Sequence, residues 1–411
     1  MSFETVSVIG LGYIGLPTAA MFAAYGKNVI GVDVSQNVVD TINRGEIHIV
    51  EAELDAIVHK VVADGKLKAV SIPEPADAFL IAVPTPFKGD NHEPDLQYIE
   101  AAAKAIATVL KKDDLVVLES TSPVGATEQM ADWLALERPD LSFPQTHGEE
   151  SDIRISHCPE RVLPGQVVRE LVENSRVIGG LTAKCSTESV ALYKTFVQGE
   201  CVITNARTAE MAKLTENTSR DVSIAFANEL SIICDTLDIN VWELISLANR
   251  HPRVNILQPG PGVGGHCIAV DPWFIVDSAN GKAQMIEQAR RTNNHKPDWV
   301  VGKVKEQVVK FEKEKGRVPT IACMGLAFKP DIDDLRESPA LYIAQELGKD
   351  IDIKVVEPNI KAYKDLELIE LKEGLGMDIC IYLVAHNQFK GVNIKDDDLD
   401  FCGGVVSVIK K

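Results

Sequence analysis

The stretch VSVIGLGYIGLPTAA at residues 6–20 constrains the fold most strongly, because three glycines follow an apolar run. Val6–Ile9 predicts a buried strand and Thr18–Tyr25 a helix, with Gly10, Gly12 and Gly15 in the turn between them. The first glycine allows a tight turn, the second lets a pyrophosphate approach the backbone, and the third lets helix and strand pack closely. The helix N-terminus adds N–H groups and a partial positive charge. The pattern predicts a dinucleotide-binding turn.

The identity of that dinucleotide is indicated by Asp33, which follows a second predicted strand, Val29–Val32. A carboxylate about 20 residues after the glycines accepts hydrogen bonds from the adenosine ribose and repels a 2′-phosphate, so NAD is expected rather than NADP. Tyr13 and Ile14 lie between the glycines and are expected to bind the same cofactor.

Two further strand ends should border the same crevice, because ligands of open α/β sheets lie at the carboxyl ends of strands. The segments VPTPF and ESTSPVGAT supply three candidate hydroxyls, those of Thr85, Thr121 and Thr127. Turn chemistry beside proline is the alternative explanation for each of these threonines.

The organisation of the chain is a strand–helix alternation at both ends with a helical region between them, typical of parallel sheets covered by helices. Further strands are predicted at Ala78–Val83, Leu115–Ser120, Ile153–His157, Arg176–Ile178, Ile321–Met324, Ile353–Glu357, Ile379–Val384 and Val405–Ile409, and helices at Leu96–Leu110, Ala206–Leu237 and Ala283–Lys315. We predict an α/β fold with two Rossmann-like parallel-sheet domains, residues 1–205 and 316–411, joined by a central helical dimerisation segment, residues 206–315.

A reactive cysteine is predicted in PGPGVGGHCIAVDP, where several glycines, Gly264 among them, precede Cys267 and Asp271 follows it. Glycines let a loop approach a ligand closely, which a buried structural cysteine does not need. The other seven cysteines occupy ordinary apolar or helical settings. Without a Cys-x-x-Cys pair or metal-ligand spacing, the eight cysteines indicate reduced thiols in a cytoplasmic protein and no metal site.

A polar stripe lies on the long predicted helix, where Lys213 and Asn217 share one face and Arg220 and Asp221 extend it by a turn. A solvated helix face is the default interpretation of such a stripe. Because the rest of the helix is apolar, an internal cleft is the competing one.

The net charge of −18 argues against sequence-independent nucleic-acid binding, since phosphate backbones attract basic surfaces. The apolar runs are far shorter than the roughly 20 residues of a membrane-spanning helix, so no membrane insertion is expected. The chain has 411 residues, which predicts two or three domains.

Six motifs, in order along nearly the whole chain, together resemble the UDP-glucose/GDP-mannose dehydrogenase family: GLGYIGLP, STSPVG, CPERVLPG, AEMAKLTENT, PGPGVGGHCIAVDP and GLAFKPDIDDLRESP. The resemblance implies a four-electron oxidation of the sugar C6 hydroxyl to a carboxylate with two NAD⁺ per turnover. It implies that Cys267 forms a thiohemiacetal and then a thioester, that Lys213 and Asn217 serve acid–base and oxyanion chemistry, that Asp271 positions water or tunes Lys213, and that Glu160 acts in thioester formation or hydrolysis.

The resemblance also implies the contacts to substrate and cofactor. Substrate-binding positions are Arg161, Val162, Leu163, Lys213, Asn217, Arg220, His251, Arg253, Gly264, Phe328 and Lys329, and Arg336 reaches the cofactor phosphates. The C-terminal domain lacks a G-x-G-x-x-G after Met324 and is expected to bind the UDP moiety instead.

The expected substrate is a UDP-N-acetylhexosamine. The segment at 251–274 is most similar to family members that oxidise UDP-N-acetyl-D-mannosamine for surface polysaccharides such as enterobacterial common antigen and capsules. Ala269 and Val270 replace the Pro-Lys pair of UDP-glucose members. UDP-N-acetylglucosamine or UDP-N-acetylgalactosamine is the alternative, and a two-electron dehydrogenase or an inactive sugar-nucleotide-binding regulator are the competitors from other classes.

A homodimer is expected for two reasons. The helix Ala206–Leu237 carries apolar residues on more than one face, more than one domain cleft could cover. The resemblance agrees, because central helices form a two-fold interface in this family and Arg253 corresponds to an arginine that the neighbouring subunit contributes.

Overall fold

A computed structural model describes residues 3–49, 51, 53–89, 92–162, 165–265 and 267–403. The chain divides into two compact units, the first formed by Met1–Thr215 with Trp273–Ser278 and the second by Glu216–Pro272 with Ala279–Lys411. The division falls inside a long helix. The three-domain boundaries at 205 and 315 therefore stay a prediction.

The first unit contains an eight-stranded sheet of order β10-β9-β8-β7-β4-β1-β2-β3. Its strands, with a separate two-stranded hairpin of β5 and β6, are β1 Thr5–Ile9, β2 Asn28–Val32, β3 Leu67–Val70, β4 Ala78–Ile81, β5 Phe87–Lys88, β6 Glu93–Pro94, β7 Leu115–Leu118, β8 Arg154–His157, β9 Arg176–Gly180 and β10 Cys201–Asn205. Neighbouring strands of the large sheet are parallel except β8 and β9, which run antiparallel.

The helices of the first unit cover both faces of this sheet. They are α1 Gly15–Ala24, α2 Gln36–Asn43, α3 Leu54–Ala63, α4 Gln97–Ala107, α5 Ala126–Glu137, α6 Pro144–His147, α7 Val167–Glu173 and α8 Ala183–Tyr193, with a short 3-10 helix at Gly148–Glu150. Alternate residues of β4 enter different cores: Leu80 packs with α1 and α3, whereas Phe79 packs with α4 and α5. Burial on both faces explains why these strands are continuous apolar runs.

The long helix α9, Ala206–Thr236, begins in the first unit and continues into the second. It is followed by α10 Val241–Ala248, α11 Asp271–Ser278 and α12 Gln284–Lys315. Within the second unit α9 and α12 are joined by buried polar contacts: Arg290 lies 2.5 Å from Asp221, and Asn228 donates to Asn293 at 2.9 Å. Asp221 is fully buried in this ion pair. Its side chain therefore packs between α9 and α12 instead of facing solvent, so the internal interpretation of the stripe applies at this position.

The second unit also contains a four-stranded parallel sheet of order β12-β11-β13-β14. Its elements are β11 Ile321–Met324, α13 Pro339–Gly348, β12 Ile353–Val356, α14 Leu371–Leu375, β13 Ile379–Tyr382, a 3-10 helix at Asn387–Phe389 and β14 Leu399–Asp400. The predicted strand at 405–409 lies outside the described residues.

The prediction of two Rossmann-like parallel sheets with a helical central segment is confirmed, and the long strands and helices differ from their predicted bounds by a few residues. The sequence did not predict β3 and β10, the two-residue strands β5, β6 and β14, or the antiparallel direction of β9. In the part of the chain that the structure describes, no helix is both long and apolar enough to cross a membrane.

Candidate active site

The glycine turn after β1 has the geometry that the sequence predicts. Gly10 has a φ of +90°, and a Cβ there would lie 2.6 Å from the Ala82 carbonyl oxygen. A Cβ on Gly15 would lie 1.8 Å from the Gly10 carbonyl oxygen. At Gly12, by contrast, a Cβ would meet no atom of the described residues within 4 Å. A side chain would therefore clash at Gly10 and at Gly15, whereas the space beside Gly12 is open, as an approaching pyrophosphate requires.

Asp33 lies at the end of β2 beside this turn and is only partly buried. The Leu11 N–H donates to its Oδ2 at 3.0 Å, and the Ser35 N–H donates to its Oδ1 at 2.9 Å. Both bonds fix the carboxylate while leaving each oxygen a second lone pair. Helix α1 has no side-chain cap at Ile14 and no acidic residue in its first turn, so its N-terminal N–H groups face no competing anion of their own helix. These residues fit a dinucleotide.

The three candidate threonines behave differently. The Thr85 hydroxyl donates to the Thr121 carbonyl oxygen, so the ends of β4 and β7 are tied together. Thr127 is fully buried, and its hydroxyl donates to Glu210 Oε1 of α9 at 2.6 Å. Glu210 also accepts the Gly125 N–H, at 2.7 Å, and the Thr127 N–H, at 2.8 Å. This carboxylate occupies the N-terminus of α5. The roles of Thr85, Thr121 and Thr127 toward the cofactor stay predictions.

The glycines before Cys267 have a structural reason that the sequence did not indicate. A Cβ on Gly264 would lie 2.5 Å from the Glu337 carbonyl oxygen, and one on Gly265 would lie 2.8 Å from the Phe328 ring. The Gly265 N–H donates to the Arg336 carbonyl oxygen at 3.1 Å. The glycines therefore let the cysteine loop pack against residues 328–339 of the same unit, whatever ligand they also admit.

Cys267 begins the turn that leads into α11. The carbonyl oxygen of Cys267 accepts hydrogen bonds from the Val270 N–H at 3.0 Å and from the Asp271 N–H at 2.8 Å. Cys267 is partly exposed. The Asn217 amide donates to Asp271 Oδ2 at 2.5 Å, and Asp271 is 3% exposed. The structure thus brings Asn217 of α9, Asp271 and the Cys267 turn together in the second unit.

Lys213 and Arg220 share α9 with Asn217. Lys213 is partly buried and belongs to the first unit, whereas Arg220 is exposed. Lys213 and Asn217 are one helical turn apart, which keeps them on one face of α9.

Glu160 lies three residues beyond β8 and is buried, with an exposed fraction of 7%. The Arg161 N–H donates to its Oε1 at 2.7 Å, and Arg176 Nη1, at the start of β9, lies 2.9 Å from its Oε2. Val162 packs against the core on the α1 side of the sheet. Arg161 donates through Nη1 to the Ser175 carbonyl oxygen at 3.3 Å. Leu163 lies outside the described residues.

Sequence reasoning missed a buried cluster around Arg176. Its guanidinium lies 4.8 Å from the centre of the Tyr193 ring, and the Tyr193 hydroxyl donates to Glu119 Oε1 at 2.6 Å. These three side chains and Glu160 are each less than a tenth exposed. Glu119 follows β7 directly and could have been found by the strand-end argument used for Thr121. Arg176 could not, because its position depends on the direction of β9.

Burial dominates the electrostatics of this cluster. It raises the pKa of Glu119 to about 7, helped by the nearby Glu160 charge and opposed by Arg176 and by the Tyr193 hydroxyl. Burial also raises the pKa of the Cys158 thiol to about 12, so Cys158 is not a reactive thiolate.

The remaining predicted substrate positions lie in the second unit. His251, Arg253 and Lys329 are exposed, and Phe328 is partly buried. No ion pair joins Arg253 to any residue that the structure describes. Arg336 is exposed and pairs with Asp334 at 2.6 Å. Its role toward the cofactor phosphates stays a prediction.

Three family models cover most of the chain. They are the NAD binding domain of the UDP-glucose/GDP-mannose dehydrogenase family at residues 4–197, the central domain at 207–295, and the UDP binding domain at 322–398.

Individual proteins are similar over nearly the full length. A UDP-N-acetyl-D-mannosamine dehydrogenase of Campylobacter jejuni is 63% identical over 97% of this chain and 99% of its own length. An NDP-N-acetyl-D-galactosaminuronic acid dehydrogenase of Ralstonia nicotianae is 62% identical over 95% and 92%. Among solved structures, a UDP-D-ManNAc dehydrogenase from Pyrococcus horikoshii has a TM-score of 0.87 and 37% identity, covering 98% of this chain and all of that one.

Proposed function

This chain belongs to the UDP-glucose/GDP-mannose dehydrogenase family, an NAD-binding dehydrogenase family, and from that premise we propose that it oxidises UDP-N-acetyl-D-mannosamine at C6 to UDP-N-acetyl-D-mannosaminuronate. The proposed reaction consumes two NAD⁺ and one water per sugar. The product is a building block for bacterial surface polysaccharide, such as enterobacterial common antigen or capsule.

The observation that carries the proposal is the hydrogen bond of Asn217 to Asp271 in the turn that Cys267 begins. A thiol and a buried carboxylate in one turn, with an amide from α9 bound to that carboxylate, are the groups needed to capture an aldehyde covalently and release it as an acid. A two-electron alcohol dehydrogenase needs no such thiol.

The cofactor is held by the first unit in this proposal. The pyrophosphate would be bound by the glycine turn, that is by Gly10, Gly12, Tyr13, Ile14 and Gly15. Asp33 would accept hydrogen bonds from the ribose hydroxyls. Bound NAD⁺ supplies the hydride acceptor, and two equivalents account for the four electrons between a primary alcohol and a carboxylate. Thr85, Thr121, Thr127 and Arg336 complete the proposed cofactor contacts.

Cys267 performs the covalent step. Its sulfur adds to the C6 aldehyde to form a thiohemiacetal, whose oxidation leaves a thioester on the sulfur. Asn217 uses one amide N–H on Asp271 and keeps a second, which we assign to the oxyanion of these adducts. Lys213, one turn earlier on α9, is assigned to proton transfer at the C6 oxygen. Glu160 is assigned to the water that hydrolyses the thioester.

The sugar nucleotide carries two phosphate charges, and the proposed cations for it are concentrated locally in a chain of net charge −18. They are Arg161, Arg220, Arg253 and Lys329, with Val162, Leu163, His251, Gly264 and Phe328 as neutral contacts.

The identity of the sugar is the most specific part of the proposal. Ala269 and Val270 disfavour UDP-glucose, and the relative from Campylobacter supports N-acetylmannosamine. The relative from Ralstonia, at nearly the same identity, supports an N-acetylgalactosamine substrate as the second candidate. UDP-N-acetylglucosamine completes the alternatives.

A substrate panel tests the proposal. The purified chain is assayed by NADH absorbance with the three UDP-N-acetylhexosamines and UDP-glucose. We expect the highest kcat/KM for UDP-N-acetyl-D-mannosamine and two NADH per sugar. A higher kcat/KM for UDP-N-acetylgalactosamine would select the second candidate, and one NADH per sugar would refute the four-electron reaction. Cys267→Ser should lose net turnover but retain NAD binding in calorimetry.

We further infer a homodimer that works in the cytoplasm. Phe226 and Ile233 of α9 are 52% and 46% exposed and lie seven residues apart, and Leu237, directly after the helix, is 61% exposed. Together they form an exposed apolar stripe. A second copy is the proposed cover of this stripe, and Arg253 would then enter the neighbouring copy's substrate site. The eight cysteines show no Cys-x-x-Cys pair and no metal-ligand spacing, a pattern that supports a reducing compartment.

Subunit mixing tests the shared site. Arg253→Ala and Cys267→Ala chains are each inactive in the proposal, but a heterodimer holds one site with both residues intact. An exchanged equal mixture should recover about a quarter of wild-type activity. The shared site would be contradicted if activity did not recover in a mixture whose subunit exchange had been verified. A monomer in light scattering would contradict it as well.

A further inference from the structure

The antiparallel strand β9 changes which end of the sheet carries Arg176. The pairs Ser156–Gly180 and His157–Gly179 set its register against β8. Continuing that register by three residues puts Glu160 opposite Arg176. The first residue of β9 therefore lies at the edge where β7 and β8 end. In a parallel strand it would start at the opposite edge. Ligands of α/β sheets bind at this carboxyl edge, so the reversal delivers a buried cation to the functional end of the sheet.

The guanidinium of Arg176 is surrounded by one carboxylate and two aromatic rings. Glu160 Oε2 lies 2.9 Å from Nη1, and the rings of Tyr193 and Phe196 lie 4.8 and 5.8 Å from the guanidinium carbon. Tyr193 ends α8, and its hydroxyl is itself held by Glu119 at 2.6 Å. Arg176 is 3% exposed, so water does not compete for its donors.

One guanidinium faces two buried carboxylates here, and the two differ. Glu160 has the guanidinium in direct contact, whereas Glu119 contacts the Tyr193 hydroxyl instead. Burial raises the pKa of Glu119 to about 7 although Arg176 and the Tyr193 hydroxyl lower it, which shows how costly a carboxylate charge without a direct cation contact is at this depth. Arg176 thus makes its direct ion pair with Glu160, the carboxylate that the proposed reaction uses.

We propose that Arg176 is a positioning residue for Glu160: it supplies the counter-charge and orientation that let this carboxylate accept a proton during thioester hydrolysis, with Tyr193 and Glu119 holding the guanidinium in turn. The inference rests on the proposed function. In the step concerned, the water oxygen bonds to the acyl carbon, and the C–S bond breaks with its electron pair on the Cys267 sulfur. One water proton passes to Glu160, and the sugar leaves as the carboxylic acid, which ionises in water.

The geometry leaves room for this role. Oε1 of Glu160 accepts the Arg161 N–H and Oε2 faces Arg176, but each carboxylate oxygen has a second lone pair for a water proton. Arg176 itself need not touch substrate.

A double-mutant cycle on kcat tests the inference with Glu160→Gln, Arg176→Met and the double variant. We expect each single variant to lower kcat roughly tenfold to a hundredfold, a part of the ~10²–10⁴ that a positioned base contributes, with the KM for NAD⁺ little changed. If Arg176 acts through Glu160, the double variant is no slower than Glu160→Gln alone. Acyl-enzyme on Cys267 should accumulate in all three, as an added mass on the intact protein.

In this cycle, the inference is overturned by losses that multiply in the double variant, or by a Glu160→Gln enzyme with wild-type kcat, which leaves Arg176 nothing to act through. Arg176→Lys keeps the charge without the planar fork and should recover part of the kcat lost in Arg176→Met. If Arg176→Met does not fold, the cycle is run with Arg176→Lys. The proposed function fails separately, if the wild-type chain does not release two NADH per UDP-sugar.

Arg154 offers a matched control. It is equally buried, at 3% exposure, but it starts β8, which runs the other way, so it lies at the opposite edge of the sheet. Its guanidinium donates to the Ser151 carbonyl oxygen. Arg154→Met should lower the melting temperature without accumulating acyl-enzyme. Accumulation in this control would mean that any loss of a buried arginine has the effect, and would overturn the inference.

Discussion

The two Rossmann-like sheets begin with the same local construction. Gly10 follows β1 with a φ of +90°, and Gly325 follows β11 with a φ of +100°. Each glycine N–H donates to the last residue of the next strand at 2.8 Å, Gly10 to Val32 and Gly325 to Val356. In both, a carboxylate just past that strand accepts N–H groups of the glycine turn: Asp33 from Leu11, and Glu357 from Leu326 and Ala327.

The two turns differ in what they leave accessible. Asp33 is partly exposed, whereas Glu357 is 6% exposed and lies 3.1 Å from His386 Nε2. The Asp331 N–H donates to His386 Nδ1 at 3.0 Å, so a neutral imidazole carries its proton on Nε2 and donates it to Glu357. The carboxylate that we assign to the cofactor ribose in one sheet corresponds to a buried, fully hydrogen-bonded carboxylate in the other.

The helices after the turns differ in the same sense. Helix α1 begins at Gly15 without a side-chain cap, whereas α13 begins only at Pro339, where the Ser338 hydroxyl accepts the Leu341 N–H at 3.3 Å. The second sheet thus repeats the framework of the first. Its carboxylate, however, is already hydrogen-bonded within the protein, and the start of its helix is already capped by Ser338. This explains why a Rossmann-like C-terminal domain need not be a second dinucleotide site.

The largest effect should come from Glu357→Ala. It removes the acceptor of the Leu326, Ala327 and Asn359 N–H groups and the partner of His386. We expect the free energy of unfolding of the second unit to fall by about 3–5 kcal/mol, because several buried donors lose their partner at once. Hydrogen exchange at the Leu326 and Ala327 amides, with thermal unfolding, measures it. Asp33→Ala should cost clearly less, and an equal loss would erase the proposed difference between the two carboxylates.

The same site carries a pH signature. Burial works to raise the pKa of Glu357, but hydrogen bonds from His386, Leu326 and Asn359 outweigh it, so the pKa lies below the ordinary 4.5. A carboxyl with a lowered folded-state pKa contributes stability above pH ~4.5 and loses it as the pH falls through the folded-state value. The stability gap between wild type and Glu357→Gln should therefore narrow as the pH falls below 4.5. A gap that widens on acidification would contradict this sign.

Asp33→Ala should have the second largest effect, on cofactor binding. Losing charge-assisted hydrogen bonds to the ribose should weaken NAD⁺ binding by about 1.5–3 kcal/mol, which raises the Kd roughly tenfold to a hundredfold. The preference over NADP⁺ should narrow because the repulsion of a 2′-phosphate is removed. Isothermal calorimetry with both cofactors measures it, and Asp64→Ala, an exposed aspartate at the end of α3, is the control. A wild-type chain that uses both cofactors equally would refute the role of Asp33.

This comparison also marks what the sequence could predict. The glycine turn, Asp33 and the strands around them follow from local patterns, so β1, α1 and β2 were predicted closely. The Glu357–His386 contact joins residues far apart in sequence, and the reversal of β9 that pairs Arg176 with Glu160 depends on how a whole strand is inserted. The glycines before Cys267 were recognised, but their packing on Phe328 and Glu337 needed the three-dimensional partner.

The smallest effect should come from the cap of α13. Ser338 is buried, accepts the Leu341 N–H, and donates to the Leu326 carbonyl oxygen at 2.6 Å. Ser338→Ala should lower the stability of the second unit by about 1 kcal/mol, the usual cost of a lost N-cap. It should leave NAD⁺ affinity unchanged, since the cofactor is assigned to the first unit. Ser35 is a matched control, because it precedes α2 without a side-chain cap hydrogen bond, so that Ser35→Ala should cost almost nothing. If calorimetry showed weaker NAD⁺ binding in Ser338→Ala at unchanged melting temperature, the start of α13 would have to serve the dinucleotide, and the functional difference between the two sheets would be wrong.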